Sequence, residues 1–359
     1  MKKIDWYIFK RLIGTFFFAI LIFAVISVVI DITEKVDYFL EYHLSPLYIF
    51  THYYLGFIPH ILALLFPLFI FIAVIYFTSK LAYKSEIIAI LSTGVSYHRF
   101  LRPYWVGGIL LALLLGISNR TIIPHANVIK VTFENNYVDK KKEMDQQFNL
   151  HLRINNNQYM TMSTYYPEDQ YASGFELETI KGQKLISRLE ARNIRWNKQE
   201  KGWKAGMAIL REIDKKHVTV TEVRDTVLDL NIDPQDLIKR TNIIEGMTTR
   251  ELNQYIDRQK LRSAQALNYL YIEKYRRTSS AFSIIILTLI GAVIATKKTR
   301  GGSGLHLALG IVLSALYVLF MQFSTTFSIK GSLNPLIAVW IPNIVFGLLA
   351  IYLYRKAPK

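Results

Sequence analysis

The residues best suited to chemistry in this chain of 359 residues are sparse and scattered. There is no cysteine, so disulfides and thiolate metal ligands are excluded, and the eight histidines are dispersed along the chain. No G-x-x-x-x-G-K-[ST] loop is present to cradle a nucleotide. The tract Thr299–Gly304 has the glycines without the lysine and reads as a flexible turn. H-E-x-x-H and G-x-S-x-G are absent too, which argues against a metalloprotease or a serine hydrolase. The polar groups that stand out do so against apolar surroundings. Ser85–Glu86 is the polar point of an amphipathic stretch, and Gln322 and Asn343 lie inside apolar runs, where each suits a helix–helix hydrogen bond. The apolar runs hold no carboxylate of the kind a proton-coupled pump needs. An active transporter built on this chain would therefore draw its energy from a partner, and the chain itself reads as a non-enzyme without a cofactor.

The elements that must position these groups are three long apolar segments, a polar insert of nearly half the chain, and three more apolar segments. No formal charge occurs between Arg11 and Asp31, Glu41 and Lys80, Arg102 and Arg120, Arg277 and Lys297, Arg300 and Lys330, or Lys330 and Arg355. Each gap holds a membrane-crossing helix of about 20 residues. The expected spans are 12–30, 54–78, 103–118, 279–296, 305–325 and 335–354. Asp31 to Asp37 continues the first helix outward, and Pro59 and Pro67 bend the second. Between spans 2 and 3, residues 79–98 read as an amphipathic surface helix: Ile87, Ile88, Ile90, Leu91 and Val95 recur at helical spacing, and Gly94 suits its end.

Basic residues set the orientation, because Lys and Arg near span ends are retained on the cytoplasmic side. Fourteen flank the two termini and the loops between spans 2 and 3 and spans 4 and 5, against only Lys35 and Lys330 in the two short opposite loops. Both termini are expected in the cytoplasm and the insert in the periplasm, with the first segment retained rather than cleaved. The insert carries 27 Lys/Arg against 21 Asp/Glu, so most of the formal +16 charge lies on the membrane part. That pattern reflects topology and anionic lipid rather than nucleic-acid binding.

Within the insert, Leu150, Leu152 and Ile154 alternate toward a turn at Asn155–Asn157, and Met160, Met162 and Thr164 return. A second hairpin runs from Leu185 to Trp196, turns at Asn197–Gly202 and returns through Trp203–Ile209. His217–Leu230 adds a strand whose alternation slips near Glu222, as at a bulge. Such strands imply a sandwich, jelly roll or open barrel. Helix resumes at Thr248, where Thr248 and Glu251 fit a capping box, with a break expected at Arg262–Ser263 and a second helix from Ala264 into span 4.

Taken in order, IPHILALLFP, LAYKSEIIAILSTGVS, EGMTTRELNQYI and AVWIPNIVFG resemble the LptF/LptG (YjgP/YjgQ) permeases of lipopolysaccharide export, and the likeness covers essentially the whole chain. It implies an α-helical membrane protein of six transmembrane helices (3+3) with an inserted all-β, jellyroll-like periplasmic domain. On that plan residues 1–118 hold spans 1–3, 119–247 the β domain, 248–278 a helical connector and 279–359 spans 4–6. The resemblance further implies an ABC exporter half that pairs with a second LptF/LptG permease, an LptB-like ATPase dimer beneath, and LptC- and LptA-like bridge proteins receiving lipopolysaccharide. Ser85, Glu86, Ile87, Ala89, Ile90 and Gly94 would couple to the ATPase. Lys35 and Arg120, at span ends, would meet headgroup phosphates. Spans 1 and 5 would form the lateral gates, with Phe16–Phe18, Phe23 and Leu313–Phe320 as their apolar faces. Competing readings are a mechanotransmission permease or an envelope scaffold that carries no lipid.

Overall fold

The computed structural model describes residues 3–138, 147–155, 157–182, 184–200, 202–214, 217–228, 230, 232, 234–237, 241–259, 264–297, 302–331 and 333–357. The break expected at Arg262–Ser263 and the Thr299–Gly301 part of the glycine-rich tract lie outside these residues. The described chain forms two compact units: residues 1–131, 244–253 and 268–359 in one, and 132–243 with 254–267 in the other.

The first unit is helical. Helix α1 (Lys3–Glu41) runs unbroken past span 1, as the charges after Ile30 suggested. A short turn at Pro46–Ile49, capped by the Ser45 hydroxyl, leads through a π-helical turn, Phe50–Tyr54, into α2 (Leu55–Tyr83). There follow α3 (Glu86–Ser92), α4 (Tyr97–Phe100), α5 (Arg102–Ser118), α6 (Ile122–Phe133), α7 (Thr241–Gly246), α8 (Thr249–Gln259), α9 (Ala264–Ala295), α10 (Gly302–Lys330) and α11 (Pro335–Lys356). Six of these stretches are long and apolar enough to cross a membrane.

Segment 79–98 is not one helix. Its first residues complete α2, a left-handed Ser85 (φ 59°) turns the chain, and the amphipathic part is only Glu86–Ser92 before Gly94 (φ 82°) ends it. The segment 119–247 likewise opens on helix α6, because Ile122–Phe133 winds against α2: at Gly56 any Cβ would overlap the Ala126 carbonyl oxygen.

Helix α2 is the hub. Phe66, Ile70, Val74 and Leu81 join Leu12, Phe16, Tyr104 and Ile284 in one core, and Phe71 and Ile75 join Leu287, Ile290 and Tyr317 in another. By contrast only 17% of the most apolar stretch of α1 and 22% of that of α10 is covered by the chain itself, against 56% for α2 and for the α9 span. Helices α1 and α10 thus turn broad apolar faces outward. Phe17 and Phe18 belong to that face, whereas Phe16 is fully buried and Phe23 packs on Phe69.

Helices α9, α10 and α11 are locked by polar groups within the apolar layer. Pro342 has no N–H for the Ala338 carbonyl, and the Ser324 hydroxyl of α10 donates to that oxygen at 2.6 Å instead. One residue on, Asn343 Nδ2 donates to the Ser279 carbonyl (2.9 Å) and to its hydroxyl oxygen (2.8 Å), while Tyr317 donates to Asn343 Oδ1 (2.8 Å). The run AVWIPNIVFG is therefore a three-helix brace.

The second unit is built on an antiparallel sheet, β1 (Gln147–Arg153), β2 (Gln158–Tyr166), β3 (Tyr171–Lys181), β4 (Lys184–Asn197), β5 (Gly202–Ile213) and β6 (Val218–Leu228). Its order is sequential, so the described strands form a meander with β1 and β6 as edges; the jellyroll-like expectation holds as an inserted antiparallel domain, without a crossover among these strands. One face is buried: Met160, Met162, Phe175, Ile194, Trp203 and Ala205 lie under Leu230, Ile232 and Leu237, and Trp203 Nε1 donates to the Ile232 carbonyl at 2.8 Å.

The expected bulge at Glu222 does not occur. Strand β6 keeps one register against β5, from Trp203↔Leu228 to Ile213↔Val218. Its alternation fades because it is an edge, with Val218 and Val220 about three-fifths exposed at 58% and 61%. The irregularity lies three residues on, at Asp225 (φ 49°), and it continues across the sheet. Asn149 (φ 52°) and Gly174 (φ 61°) are also left-handed, and Asn149, Ser163, Gly174 and Asp225 all drop out of the pairing. These positions form a transverse crease across the sheet. Gly174 is required there twice, by its φ and because a Cβ would overlap the Ser163 hydroxyl. Gly174→Ala is expected to destabilise the protein by about 2 kcal/mol or more, read as a lower midpoint in thermal unfolding, with Gly182→Ala as the open-space control for positive φ alone (67°).

Candidate functional site

Three sites in the helical unit hold the residues singled out from the sequence. The first lies where the termini and the α2–α5 link gather. Helix α3 has one face down and one face out: Ile87 is 2% exposed and packs with Leu81, Ala82, Tyr97 and Phe100, with Ile90 half-buried beside them, while Ile88 is 58% exposed. Ala89, Ser92 and Gly94 are exposed too, and Glu86 is half-buried with no ion pair among the described residues. Of the six residues expected to couple, Ile87 and Ile90 thus support the helix from beneath. Ile88, absent from that set, is its apolar outward residue; the five consecutive apolar positions Ile87–Leu91 do not say which one turns out.

The link is tied to three spans. Tyr97 Oη lies 3.3 Å from Thr296 Oγ1 at the end of α9, His98 Nδ1 lies 3.2 Å from Tyr354 Oη on α11, and Arg99 lies 3.9 Å from Asp5 on α1. The Ser96 hydroxyl caps α4. Helix α4, on which Ile87 of α3 packs, thus contacts α1, α9 and α11.

The second site is at the opposite ends of the helices. Asp31 and Lys35 are four residues apart on α1 and so share a face. Lys35 Nζ lies 2.9 Å from Asp31 Oδ1, and their side chains are 14% and 7% exposed. Tyr53 donates to the same oxygen at 2.9 Å and Tyr54 to Asp31 Oδ2 at 3.1 Å. Lys35 also donates to the Tyr53 hydroxyl and lies over the Tyr53 ring at 4.4 Å. Consecutive tyrosines reach one carboxylate because the π-helical turn rotates successive side chains less than an α-helix does. Lys35 is thus held inside the chain. Arg120 is not brought to it: it is exposed in the turn after α5, 3.5 Å from the Thr278 hydroxyl of α9.

The third site was not anticipated as a site. A cavity of about 400 Å³ opens among α2, α6, α7, α9 and α10, and Gln322 is on its wall. Glu273, Arg276 and Arg277 enter from α9, His60 from α2, Asn127 from α6 and Glu245 from α7. Arg277 is buried, its guanidinium bonded to Glu273 Oε1 (3.1 Å), the Thr249 hydroxyl (3.5 Å) and the Ile244 carbonyl (3.5 Å), and Asn127 Nδ2 donates to the Glu245 carbonyl (3.0 Å). These bonds fasten α7 and the start of α8 to the spans. The capping box at α8 is formed as read: the Thr248 amide donates to Glu251 Oε2 at 2.8 Å, which holds the Glu251 carboxyl below its ordinary range. Five separate segments meet at this cavity, so no local motif announces it.

A chain of two helical triplets, each helix long and apolar enough to cross a membrane, with an inserted antiparallel sheet has the form of a multi-pass membrane protein. The profile of the family described as lipopolysaccharide export system permease LptF/LptG matches residues 6–356, and the chain belongs to that family. A comparison with curated proteins returned no match.

Proposed function

We propose that this chain is one of two permeases in an ABC exporter that lifts lipopolysaccharide out of the inner membrane. The observation that carries the reading is helix α3, a short amphipathic helix presented outward and packed on α4, which is tied to three spans, in a chain of the lipopolysaccharide export permease family. An LptB-like ATPase dimer docks on Glu86, Ile88 and Ala89, and its closure moves α1, α9 and α11. A second permease faces the outward apolar sides of α1 and α10, which serve as lateral gates. Lys35 meets a headgroup phosphate by exchanging it for Asp31, and Arg120 does so by leaving Thr278. The creased sheet of the second unit then passes lipid to LptC- and LptA-like proteins, for which the edges β1 and β6 offer strand pairing.

Affinity purification of the tagged chain in mild detergent, followed by mass spectrometry of proteins and lipids, tests this. The expected result is recovery of an ATPase, a second permease and lipopolysaccharide. Recovery of an ATPase without lipid would instead favour a mechanotransmission permease, and recovery of the chain alone would favour a scaffold.

The orientation is tested separately, with the termini and α3 in the cytoplasm and the sheet in the periplasm. Because the chain has no cysteine, single introduced thiols report cleanly. A membrane-impermeant maleimide is expected to label Lys181→Cys in intact spheroplasts and Ser92→Cys only after lysis.

A further inference from the structure

The two neighbouring arginines of the α9 cavity are used differently. Arg277 is 5% exposed and bonded through all three guanidinium nitrogens. Arg276 spends Nε (3.0 Å) and one terminal nitrogen (2.7 Å) on a single oxygen, Glu273 Oε2. Its other terminal nitrogen has no acceptor among the described residues, and the side chain is 40% exposed on the cavity. Glu273 is thus shared by two guanidinium groups, and Glu245 adds its charge to the field at Arg276. The other acid on the cavity, Glu245, lies 4.0 Å from His60.

The rest of the cavity has the character of an amphiphile site. Its α2 wall is Ala63, Leu64 and Pro67, and α10 adds Val318 and Met321. Beside the charged α9 wall, the buried Asn127 side chain is held between the Glu245 carbonyl and His60. Cavities of roughly 300–1,000 Å³ that combine an apolar lining with a few convergent polar groups are the usual form of small-molecule sites.

We propose that this cavity binds the phosphorylated head of an amphiphile, with the open edge of Arg276 on the phosphate and the first part of the apolar chains against α2 and α10. A guanidinium offers two parallel N–H groups to a phosphate, a geometry an ammonium does not reproduce. The proposal rests on the export reading for its choice of probe, and it assigns headgroup contact to a residue on α9 that makes no use of Lys35 or Arg120.

The test uses the full-length protein in phosphatidylcholine nanodiscs, with diphosphorylated lipid A, its dephosphorylated form and inorganic phosphate as separate probes. The wild type is expected to prefer the phosphorylated form. Arg276→Gln should weaken that form by about tenfold or more while leaving the dephosphorylated form unchanged. Arg276→Lys should restore part of the preference. Arg277→Gln is the folding control, expected to lower the thermal midpoint, whereas Arg276→Gln leaves it in place. Equal binding by wild type and Arg276→Gln would overturn the site and leave the export reading standing. Loss of both lipid forms together in Arg276→Gln would also overturn it, because the effect would not be on phosphate. Displacement by inorganic phosphate as effective as by lipid A would reduce the site to a simple anion site and overturn the amphiphile assignment. A wild type indifferent to phosphorylation that also exports no lipid would remove the export reading as well.

Discussion

Asp31→Ala is expected to lower the stability of the detergent-solubilised protein by about 3 kcal/mol, the cost of breaking a buried ion pair from one side. Asp31 receives the Lys35 ammonium and both tyrosine hydroxyls, and its side chain is 7% exposed. Removing it strands three donors together at the junction of α1 with the turn that starts α2. Lys35→Met leaves the buried Asp31 carboxylate its two hydroxyl donors but no counter-charge, so it should cost about 2 kcal/mol, less than Asp31→Ala. The double variant should be more stable than the two losses summed, since without Asp31 the ammonium is the group that suffers most. Thermal unfolding of the four proteins, followed by tryptophan fluorescence, measures the cycle. Strict additivity would mean that Asp31 and Lys35 do not hold one another. The cycle also bears on transport. If Lys35 exchanges Asp31 for a phosphate, Asp31→Asn should raise the affinity for phosphorylated lipid, because the competing charge is gone while the tyrosines keep an acceptor.

The elements legible in the sequence were those fixed by local physics. Charge-free runs between Arg11 and Arg355 marked out the spans because a bilayer admits few charges anywhere along them. The hairpins at Asn155–Asn157 and Asn197–Gly202 and the cap at Thr248 were readable because turn and cap chemistry depends on neighbours in sequence. What escaped was set by distant partners. Helix α6 falls inside the 119–247 segment expected to be the β domain, yet packs as a helix on α2, where Gly56 lets its backbone approach. Asp31 and Lys35 stand four apart and so could be paired by inspection; the tyrosines that complete the site come from a different element. The sheet's crease shows only in the register of all six strands, since Asn149 and Asp225 look like ordinary strand residues one at a time. Arg276 and Arg277 are adjacent in sequence and opposite in use, a difference that depends on Thr249 and Ile244.

Helix α3 yields the sharpest separation of contact from support. Ile88→Asp and Glu86→Ala are each expected to reduce recovery of the partner ATPase about tenfold or more, with the permease still folded. A carboxylate in the middle of an apolar contact patch is desolvated without a partner, and loss of Glu86 removes the one acid in the first turn of the helix. Ile87→Ala should behave in the opposite way. Its side chain is 2% exposed within the helical core, so truncation should cost about 2–4 kcal/mol of stability. The folded fraction should nevertheless recover the ATPase at nearly the wild-type ratio. Size-exclusion of the folded permease followed by quantification of co-purified ATPase distinguishes the two effects. If Ile87→Ala lost the ATPase while Ile88→Asp kept it, the docking surface would have to lie elsewhere on this face, and α3 would be a structural turn between α2 and α5. The predicted pattern instead makes α3 a lever: an outward face that a partner grips, and an inward face that rests through Ile87 on α4, whose Tyr97, His98 and Arg99 reach three membrane spans.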